Sequence, residues 1–488
     1  ARRMAEVLWE AGVPKKLLQF VAVPEDEVGK QLLTDPRVAA VILTGSSETA
    51  ALFLGWNPAM RLLAETGGKN AMIISAAADM DQAVKDLVQS AFGHAGQKCS
   101  AASLAIVEAE VYDDPSFRRR LRDAAKSLPV GSAWDLSTKM PPVIVEPGEA
   151  LARGLRQLDE GEEWLLEPRQ DAGNARLWSP GIRLGVREDS WFRGAECFGP
   201  VLGVMRVESF EDALRVQNDS VFGLTGGLHS LDQREIALWR EKVEVGNAYV
   251  NRPITGAIVR RQPFGGWKKS AVGPGAKAGG PNYVLQLARW EEAGLPKIKC
   301  SLSGGMESLL GTLVGLVPEA ADRLRAAAGS YRHWWQEEFG AGHDPSQVLG
   351  ESNMFRYRGV ERVLLRGGGE DLGTVALVIL ACRCCGVELE WSISGGSREA
   401  GRLADVVDVS LRVEPEEALV AELELGGRTC DVLRVLEQGA ELQTAAVRMG
   451  LRVVRDEVLA NGRLELRHYL REQSVSETVH RYGNVRGG

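Results

Sequence analysis

Short apolar runs alternate with amphipathic stretches along most of the chain, and this alternation predicts an α/β fold with a parallel sheet. In chain order the pattern predicts a helix over residues 1–11, a buried strand over 18–23, a helix over 25–33, a strand over 38–43, a strand from 71, a helix over 80–90, a strand over 104–108 and a further βα series over 142–250. No capping residue precedes the first helix, so we expect further strands upstream of residue 1.

A second unit begins where the composition changes, around residues 295–305. Its pattern predicts helices over 318–328 and 331–339, a strand over 362–366, and alternating helices and strands to about residue 454. The run Gly367–Gly373 imitates a dinucleotide-binding loop, but Leu372 stands where G-x-G-x-x-G requires glycine, and Glu370 and Asp371 would repel a pyrophosphate. We therefore interpret this unit as a Rossmann-like scaffold with a structural role.

Composition narrows the class of protein without naming a function. A chain of 488 residues is expected to form two to four domains, and a net charge of -8 gives no reason to propose nucleic acid or an anionic membrane as a partner. The seven cysteines show no disulfide spacing and suit a reducing cytoplasm, and no apolar run is long enough for a transmembrane segment. The trio at 382, 384 and 385 lacks paired C-x-x-C spacing, so we predict packing in a helix and no metal site.

The strongest chemical signal is a cysteine that follows a glutamate, each of them flanked by small residues. Cys99 lies in Gly-Gln-Lys-Cys-Ser-Ala, and Glu65 lies in Ala-Glu-Thr-Gly-Gly-Lys-Asn. A soft nucleophile and a general base can oxidise an aldehyde through a covalent thioester that an activated water then hydrolyses. The alternative for any single cysteine is a buried, inert packing residue. His94 is a weaker candidate partner for the cysteine.

Two further segments have the composition of ligand-binding loops. The strand that ends at Leu43 continues into Thr44-Gly45-Ser46 and a helix, an arrangement whose free backbone N–H groups can hold a pyrophosphate, although many such turns bind nothing. Residues 251–290 are rich in glycine and proline beside aromatic residues, which suits close approach of the backbone to a ligand or to another chain.

These motifs, together with Glu196-Cys197-Phe198-Gly199-Pro200, resemble those of the aldehyde dehydrogenase superfamily. More narrowly they are similar to L-glutamate γ-semialdehyde (Δ1-pyrroline-5-carboxylate) dehydrogenases, including the dehydrogenase part of the bifunctional proline utilization A proteins. The resemblance covers residues 1–295 strongly, and the ending 465–484 is similar to the C-terminal extension of the same proteins. It implies a partial NAD-binding domain over 1–64, a catalytic domain over 65–255, an anchor loop and return segment over 256–298, and a non-catalytic Rossmann-like domain over 299–488.

The resemblance also implies a role for each matching residue. Cys99 is the expected nucleophile and Glu65 is the expected base. The expected NAD-binding residues are Thr44, Gly45, Ser46, Glu196 and Phe198. The expected substrate-binding residues are Ser100, Gly256, Ala257 and Phe264. Glu196 would bond the nicotinamide ribose, and the backbone of Gly256 and Ala257 would bond the substrate carboxylate. His94 receives no catalytic role. The alternative to a ligand-binding role for the segment around Gly256 is an ordinary turn.

The implied reaction is NAD-dependent oxidation of L-glutamate γ-semialdehyde to L-glutamate, the second step of proline catabolism, in the cytoplasm. Two residues that the family uses, an oxyanion-hole asparagine and a lysine for the adenosine ribose, would lie before residue 1. We therefore expect this exact chain, made alone, to be a poor enzyme, since loss of one oxyanion donor costs on the order of 10²–10³ in rate.

Two other functions stay open from the sequence. The substrate could be a different semialdehyde or aldehyde, and the C-terminal unit could be a structural or oligomerisation module, because no cysteine–glutamate pair recurs there. The resemblance further implies a homo-oligomer and a possible fused proline dehydrogenase domain upstream, in which FAD would be bound.

Overall fold

The computed structural model describes residues 1–24, 26–437, 439–481, 484 and 485. Helices and strands alternate through residues 1–298, as the hydrophobic pattern predicts. The helices there are α1 (Arg2–Glu10), α2 (Glu27–Thr34), α3 (Ser47–Trp56), α4 (Met80–Phe92), α5 (Ala109–Tyr112), α6 (Pro115–Lys126), α7 (Glu149–Arg156), α8 (Trp191–Gly194), α9 (Phe210–Asn218) and α10 (Gln233–Lys242).

The strands of the same region are β1 (Val41–Thr44), β2 (Leu62–Glu65), β3 (Asn70–Ile74), β4 (Ala102–Glu108), β5 (Glu163–Leu166), β6 (Gln170–Asp171), β7 (Asn174–Trp178), β8 (Gly181–Leu184), β9 (Val201–Val207), β10 (Phe222–Gly223), β11 (Thr225–His229), β12 (Asn247–Val250), β13 (Trp267–Lys268) and β14 (Ala271–Val272). Single 3₁₀ turns span Gly93–Gly96 and Leu285–Leu287.

The remainder of the chain has the same alternation. Its helices are α11 (Gly304–Leu316), α12 (Ala321–Trp334), α13 (Leu372–Cys385), α14 (Arg398–Val407), α15 (Glu416–Glu424), α16 (Ala440–Met449) and α17 (Gly462–Glu465), with 3₁₀ turns at Pro318–Ala320 and Leu466–Tyr469 and a π-helical turn at Trp335–Phe339. Its strands are β15 (Glu351–Gly359), β16 (Arg362–Arg366), β17 (Glu388–Ile393), β18 (Ser410–Val413), β19 (Val432–Val435), β20 (Arg452–Val454), β21 (Leu470–Thr478), β22 (His480–Arg481) and β23 (Asn484–Val485).

The strand predicted over Leu18–Val23 does not form, and this prediction is wrong. The segment is irregular and exposed, with Val21 at 58% exposure, and the indole of Trp9 donates a hydrogen bond to the carbonyl of Leu18. An apolar run becomes a strand only where a neighbour completes its backbone ladder. No strand of the described chain pairs with this run.

A nine-stranded sheet forms the central layer, in the order β15-β21-β12-β11-β3-β4-β9-β8-β5. Its inner strands run parallel, and the edge strands β15 and β5 are antiparallel to their neighbours. Every residue of β3 is buried, as is typical of a parallel strand with helices on both faces. Helices such as α4 and α9 cover this layer, and their apolar faces join one large hydrophobic core.

Two strands of this sheet come from the predicted C-terminal unit, and the domain bounds drawn from the sequence stay a prediction. Strand β21 pairs in parallel with β12, and β15 pairs along its length with β21. The pairing of β21 with β12 joins positions more than 200 residues apart, and no local pattern in the sequence signals it. The C-terminal segment is thus built into the sheet whose strand β4 follows the Cys99 loop.

The Rossmann-like sheet of the C-terminal unit has the order β18-β17-β16-β19-β20 and is entirely parallel. At its glycine loop, φ is 94° at Gly367 and 83° at Gly368. The carboxylate of Glu437 accepts a hydrogen bond from the Gly368 N–H, 3.2 Å away, and so engages one backbone donor of this loop. In α13, Cys382 and Cys385 are buried, as predicted. Among the described helices, none is both long and apolar enough to cross a membrane.

Candidate active site

The loop that carries Cys99 has an unusual backbone that fixes its path. After α4, three consecutive residues adopt the left-handed region, with φ of 57° at His94, 55° at Ala95 and 68° at Gly96. Non-glycine residues in this region cost free energy, and such strain is concentrated at functional sites. A Cβ on Gly96 would lie 2.2 Å from the carbonyl oxygen of Gly199. The nucleophile loop therefore packs directly on the backbone that follows Glu196.

We expect Gly96→Ala to destabilise the protein by about 1–3 kcal/mol, because alanine would need both a positive φ and a displaced Gly199. Denaturant unfolding followed by fluorescence measures this change. Gly93→Ala is the matched control, since Gly93 has a negative φ and no atom within 4 Å of an added Cβ. Equal stability of the two variants would contradict the role given to Gly96.

A buried asparagine fixes the backbone around Cys99. The side-chain amide of Asn70 donates to the carbonyl of Cys99 at 2.6 Å and to that of Ala101 at 2.9 Å, and its oxygen accepts from the N–H of Thr225. Burial raises the pKa of the Cys99 thiol, opposed by the Ser100 N–H, and the carboxylates of Glu196 and Glu65 raise it further. Cys99 therefore rests mainly as a thiol and needs a base nearby to react as a thiolate.

Glu65 ends strand β2, where it lies between β1 and β14. Its backbone is in register with Thr44 and Ala271, and its carboxylate accepts a hydrogen bond from the Gly266 N–H at 3.2 Å. Burial raises the pKa of Glu65 well above that of an exposed glutamate, while the Lys277 cation opposes this rise. A carboxylate with a raised pKa is suited to take a proton from water near neutral pH.

Glu196 lies against the glycines that follow Glu65, and Phe198 lies against the Cys99 loop. The Glu196 carboxylate accepts from the Gly68 N–H at 2.9 Å, and the carbonyl of Phe198 accepts from the Gln97 side chain at 3.4 Å. Phe198 has a φ of 52° and is 43% exposed, which is unusual for an aromatic side chain. Its exposed ring beside a fixed carboxylate is suited to a flat, hydroxylated ligand.

The turn at Thr44–Ser46 starts helix α3, as predicted. Ser46 caps the helix through a 3.2 Å bond from the Thr49 N–H, and the Gly45 N–H donates to the carbonyl of Glu65. The first turn of a helix leaves backbone N–H groups without an intrahelical partner. The role of these donors, and of Glu196 and Phe198, in binding NAD stays a prediction from the motifs.

The predicted substrate residues fall into two groups. Ser100 is buried next to the nucleophile, and its carbonyl accepts from the Thr225 hydroxyl. Phe264 is half-buried and pairs with Ala278 in a short antiparallel bridge, one residue before the glycines beside Glu65. Gly256 and Ala257 lie in an exposed loop, with φ of 86° at Gly256. Direct contacts thus join the first group to the site, whereas the loop is tied to it by the bond from the Ile254 N–H to Ser90.

Sequence reasoning missed three buried residues that organise the site, namely Asn70, Lys277 and Glu472. Asn70 follows the Glu65 motif directly and had a local signal, since a polar residue opens an otherwise apolar strand. Lys277 is a single cation in a run of glycine and alanine, which could have indicated a buried charge. Glu472 lies more than 400 positions from Glu65 and had no such signal.

The class of protein follows from this fold and this arrangement of cysteine, glutamate and dinucleotide-binding groups. Residues 1–291 match the family model described as the aldehyde dehydrogenase family, and the chain belongs to that family. This confirms the family and the fold predicted from the motifs.

Particular relatives narrow the comparison. A protein of Bacillus subtilis (strain 168) named 1-pyrroline-5-carboxylate dehydrogenase is 35% identical over 294 residues, which cover 58% of this chain and 56% of the relative. The chain therefore spans little more than half the length of that curated relative.

Two solved structures extend the comparison. Proline utilization A (PutA) from Corynebacterium freiburgense is 44% identical to this chain with a TM-score of 0.86. The match covers 99% of this chain and 47% of the PutA chain. A 1-pyrroline-5-carboxylate dehydrogenase from Thermus with bound NAD is 34% identical with a TM-score of 0.54, and the match covers 58% of this chain and 55% of that one. Both agree with the narrower resemblance drawn from the motifs.

Proposed function

We propose that this chain is part of an enzyme that oxidises L-glutamate γ-semialdehyde to L-glutamate with NAD. The observation that carries the proposal is the fixed backbone of the Cys99 loop, which the buried Asn70 amide holds at two carbonyls, together with the nearby carboxylates of Glu65 and Glu196, both of which act on the Cys99 pKa. The names of the relatives, 1-pyrroline-5-carboxylate dehydrogenase and PutA, support the choice of substrate. The NAD-bound structure of the Thermus relative supports the choice of cofactor.

The chain's own residues would perform the covalent steps. The Cys99 thiol gives its proton to Glu65, which passes it to solvent, and the sulfur adds to the aldehyde carbon to form a thiohemiacetal anion, while the Asn70 amide holds the Cys99 backbone. NAD, when bound, supplies the acceptor for the hydride that leaves this carbon, so that Cys99 carries a thioester. Glu65 then takes a proton from a water molecule, whose oxygen attacks the thioester carbonyl. Breaking the carbon–sulfur bond releases L-glutamate and the Cys99 thiolate.

Substrate choice would depend on groups that hold the amino-acid end. Glutamate semialdehyde is zwitterionic, and the positions of its carboxylate and aldehyde are separated by an aliphatic stem. We assign the carboxylate to the backbone N–H groups of Gly256 and Ala257 and to the Ser100 hydroxyl, and the stem to Phe264. The positive φ of Gly256 and the absence of any described atom within 4 Å of an added Cβ support this assignment, because they leave room for a ligand to approach the backbone closely.

The test compares two substrates of equal chain length in the protein that carries this whole chain. We expect kcat/KM for glutamate semialdehyde to exceed that for pentanal by about 10²-fold or more, because polar groups meant for the carboxylate are left unpaired by the uncharged aldehyde. Initial rates of NADH formation measure the ratio. Equal values would reject the semialdehyde assignment and favour a different aldehyde as substrate.

The same similarity supports proposals on partners. The PutA relative is about twice as long as this chain, which supports a fused proline dehydrogenase domain with FAD upstream. A homo-oligomer and a cytoplasmic location stay predictions from the resemblance.

For residues 299–488 we propose a non-catalytic structural role. Two observations favour it: the Glu437 carboxylate already accepts from the Gly368 N–H of the glycine loop, and strands β15 and β21 extend the nine-stranded sheet. A dinucleotide would have to displace this carboxylate, and its phosphates would meet the acidic groups of Glu370 and Asp371.

A further inference from the structure

We infer that Lys277 and Glu472 are positioning residues for Glu65: Glu472 holds Lys277 behind Glu65, and Lys277 keeps that carboxylate ionised for its work as a base. The inference rests on the proposed function only in taking Glu65 as the base. Glu472 lies on β21, outside the residues 1–291 that match the family model. The C-terminal segment would therefore contribute directly to the chemistry of the site.

Lys277 is one of the most deeply buried charged side chains of the molecule, with 1% exposure. Its ammonium donates to the side-chain oxygen of Asn247 at 3.1 Å and to the carbonyl of Gly265. Both acceptors are uncharged, so these bonds do not neutralise the cation. A buried lysine is costly unless its charge serves a nearby anion.

Two glycines lie between the Lys277 side chain and the base. A Cβ on Gly265 would lie 2.9 Å from the Glu65 carboxylate and 3.2 Å from Cγ of Lys277, so both side chains pack against Gly265. The next residue, Gly266, donates its N–H to Glu65 at 3.2 Å. By bonding the Gly265 carbonyl, Lys277 fixes the orientation of the peptide that supplies this donor.

Glu472 fixes Lys277 from the opposite side. Its carboxylate accepts from the Lys277 backbone N–H at 2.8 Å and from the Asn282 side chain at 2.7 Å, and the side chain is only 9% exposed. Its own backbone carbonyl accepts from the Trp267 indole at 2.8 Å. These bonds hold the loop that contains Lys277 against strand β21.

The charges around Glu65 act in opposite directions. Burial raises the pKa of Glu65, the Lys277 cation lowers it, and the Glu472 carboxylate raises it. The Glu65 carboxylate in turn raises the pKa of Cys99. Burial lowers the pKa of Lys277, and the carboxylates of Glu65 and Glu472 oppose this effect. Lys277 is thus the cation that balances two buried carboxylates.

The test measures hydrolysis of the acyl-enzyme that a chromogenic ester forms on Cys99, as a function of pH, in the protein that carries this whole chain. This reaction needs neither NAD nor glutamate semialdehyde. For Lys277→Met we expect the midpoint of the rising limb to move up by about one pH unit, because Glu65 loses its opposite charge. For Glu472→Gln, which keeps an acceptor oxygen, we expect the midpoint to move down.

Two comparisons make the result decisive. Lys277→Arg should return the midpoint toward that of the wild type, because it restores the cation. Lys126→Met, at an exposed position on α6, is the matched control for loss of a lysine and should leave the midpoint unchanged. Unchanged midpoints in both site variants, or shifts in the same direction, overturn the inference.

The ester assay also separates this inference from the proposed function. If the midpoints move in opposite directions but the wild type does not discriminate glutamate semialdehyde from pentanal, the positioning role stands and the proposed substrate is wrong. If discrimination is found but the midpoints do not move, the proposed function stands and the role of the pair is wrong.

Discussion

Replacing Cys99 by serine should reduce NADH formation from glutamate semialdehyde by about 10⁴-fold or more, the largest effect we expect of any single substitution. A hydroxyl is a much weaker nucleophile than a thiolate, and the alkoxide of serine would be a poorer leaving group than the sulfur when water attacks the acyl-enzyme. Steady-state rates of NADH formation in the protein that carries this whole chain measure the loss. Mass spectrometry of the wild type should find the acyl group on the peptide that contains Cys99.

Cys300→Ser is the matched control for the loss of a thiol. Cys300 is half-buried near the start of the C-terminal unit and bonds the side chain of Gln336, away from the site. Its replacement should leave the rate unchanged, and both variants should unfold at the same temperature as the wild type. Undiminished turnover by the Cys99 variant would reject covalent catalysis at this position and with it the proposed mechanism.

The sequence predicted the local chemistry of the site because that chemistry is written in short motifs. Cys99 and Glu65 each stand among small residues, and Glu196 stands next to a Gly-Pro turn. At Gly45, the apolar spacing changes from that of a strand to that of a helix. Each motif describes one piece of backbone together with the side chain that it presents. The α/β class follows from the same local patterns.

The contacts that join these pieces depend on distant parts of the chain, and no local pattern contains them. Strand β21 reads as polar, since it contains Glu472, Gln473 and Ser474, yet the structure places it inside the nine-stranded sheet. Its buried polar side chains are satisfied there: Gln473, for example, donates to the carbonyls of Val243 and Val245. The failed strand at Leu18–Val23 is the converse case, an apolar run for which the described chain provides no neighbour.

The second large effect concerns the base. Glu65→Gln should slow steady-state turnover by about 10²–10⁴-fold, while the first turnover of NADH formation persists. Glutamine has nearly the same shape and keeps an oxygen for the Gly266 N–H, but it cannot take a proton from water. The thioester on Cys99 should therefore accumulate. Stopped-flow absorbance measures the burst, and mass spectrometry of the quenched reaction measures the acylated fraction.

The pH profile supplies the sharper readout for the same residue. The base works only when ionised, so the rate of acyl-enzyme hydrolysis in the wild type should rise with pH through the raised Glu65 pKa of about 7. In Glu65→Gln this limb should disappear, and the slow residual rate should follow hydroxide instead. Glu110→Gln, at an exposed carboxylate, is the control and should keep the wild-type profile. A Glu65→Gln enzyme with wild-type turnover and an unchanged rising limb would show that another group activates the water. The first residue to replace would then be Glu472, a second buried carboxylate beside Lys277.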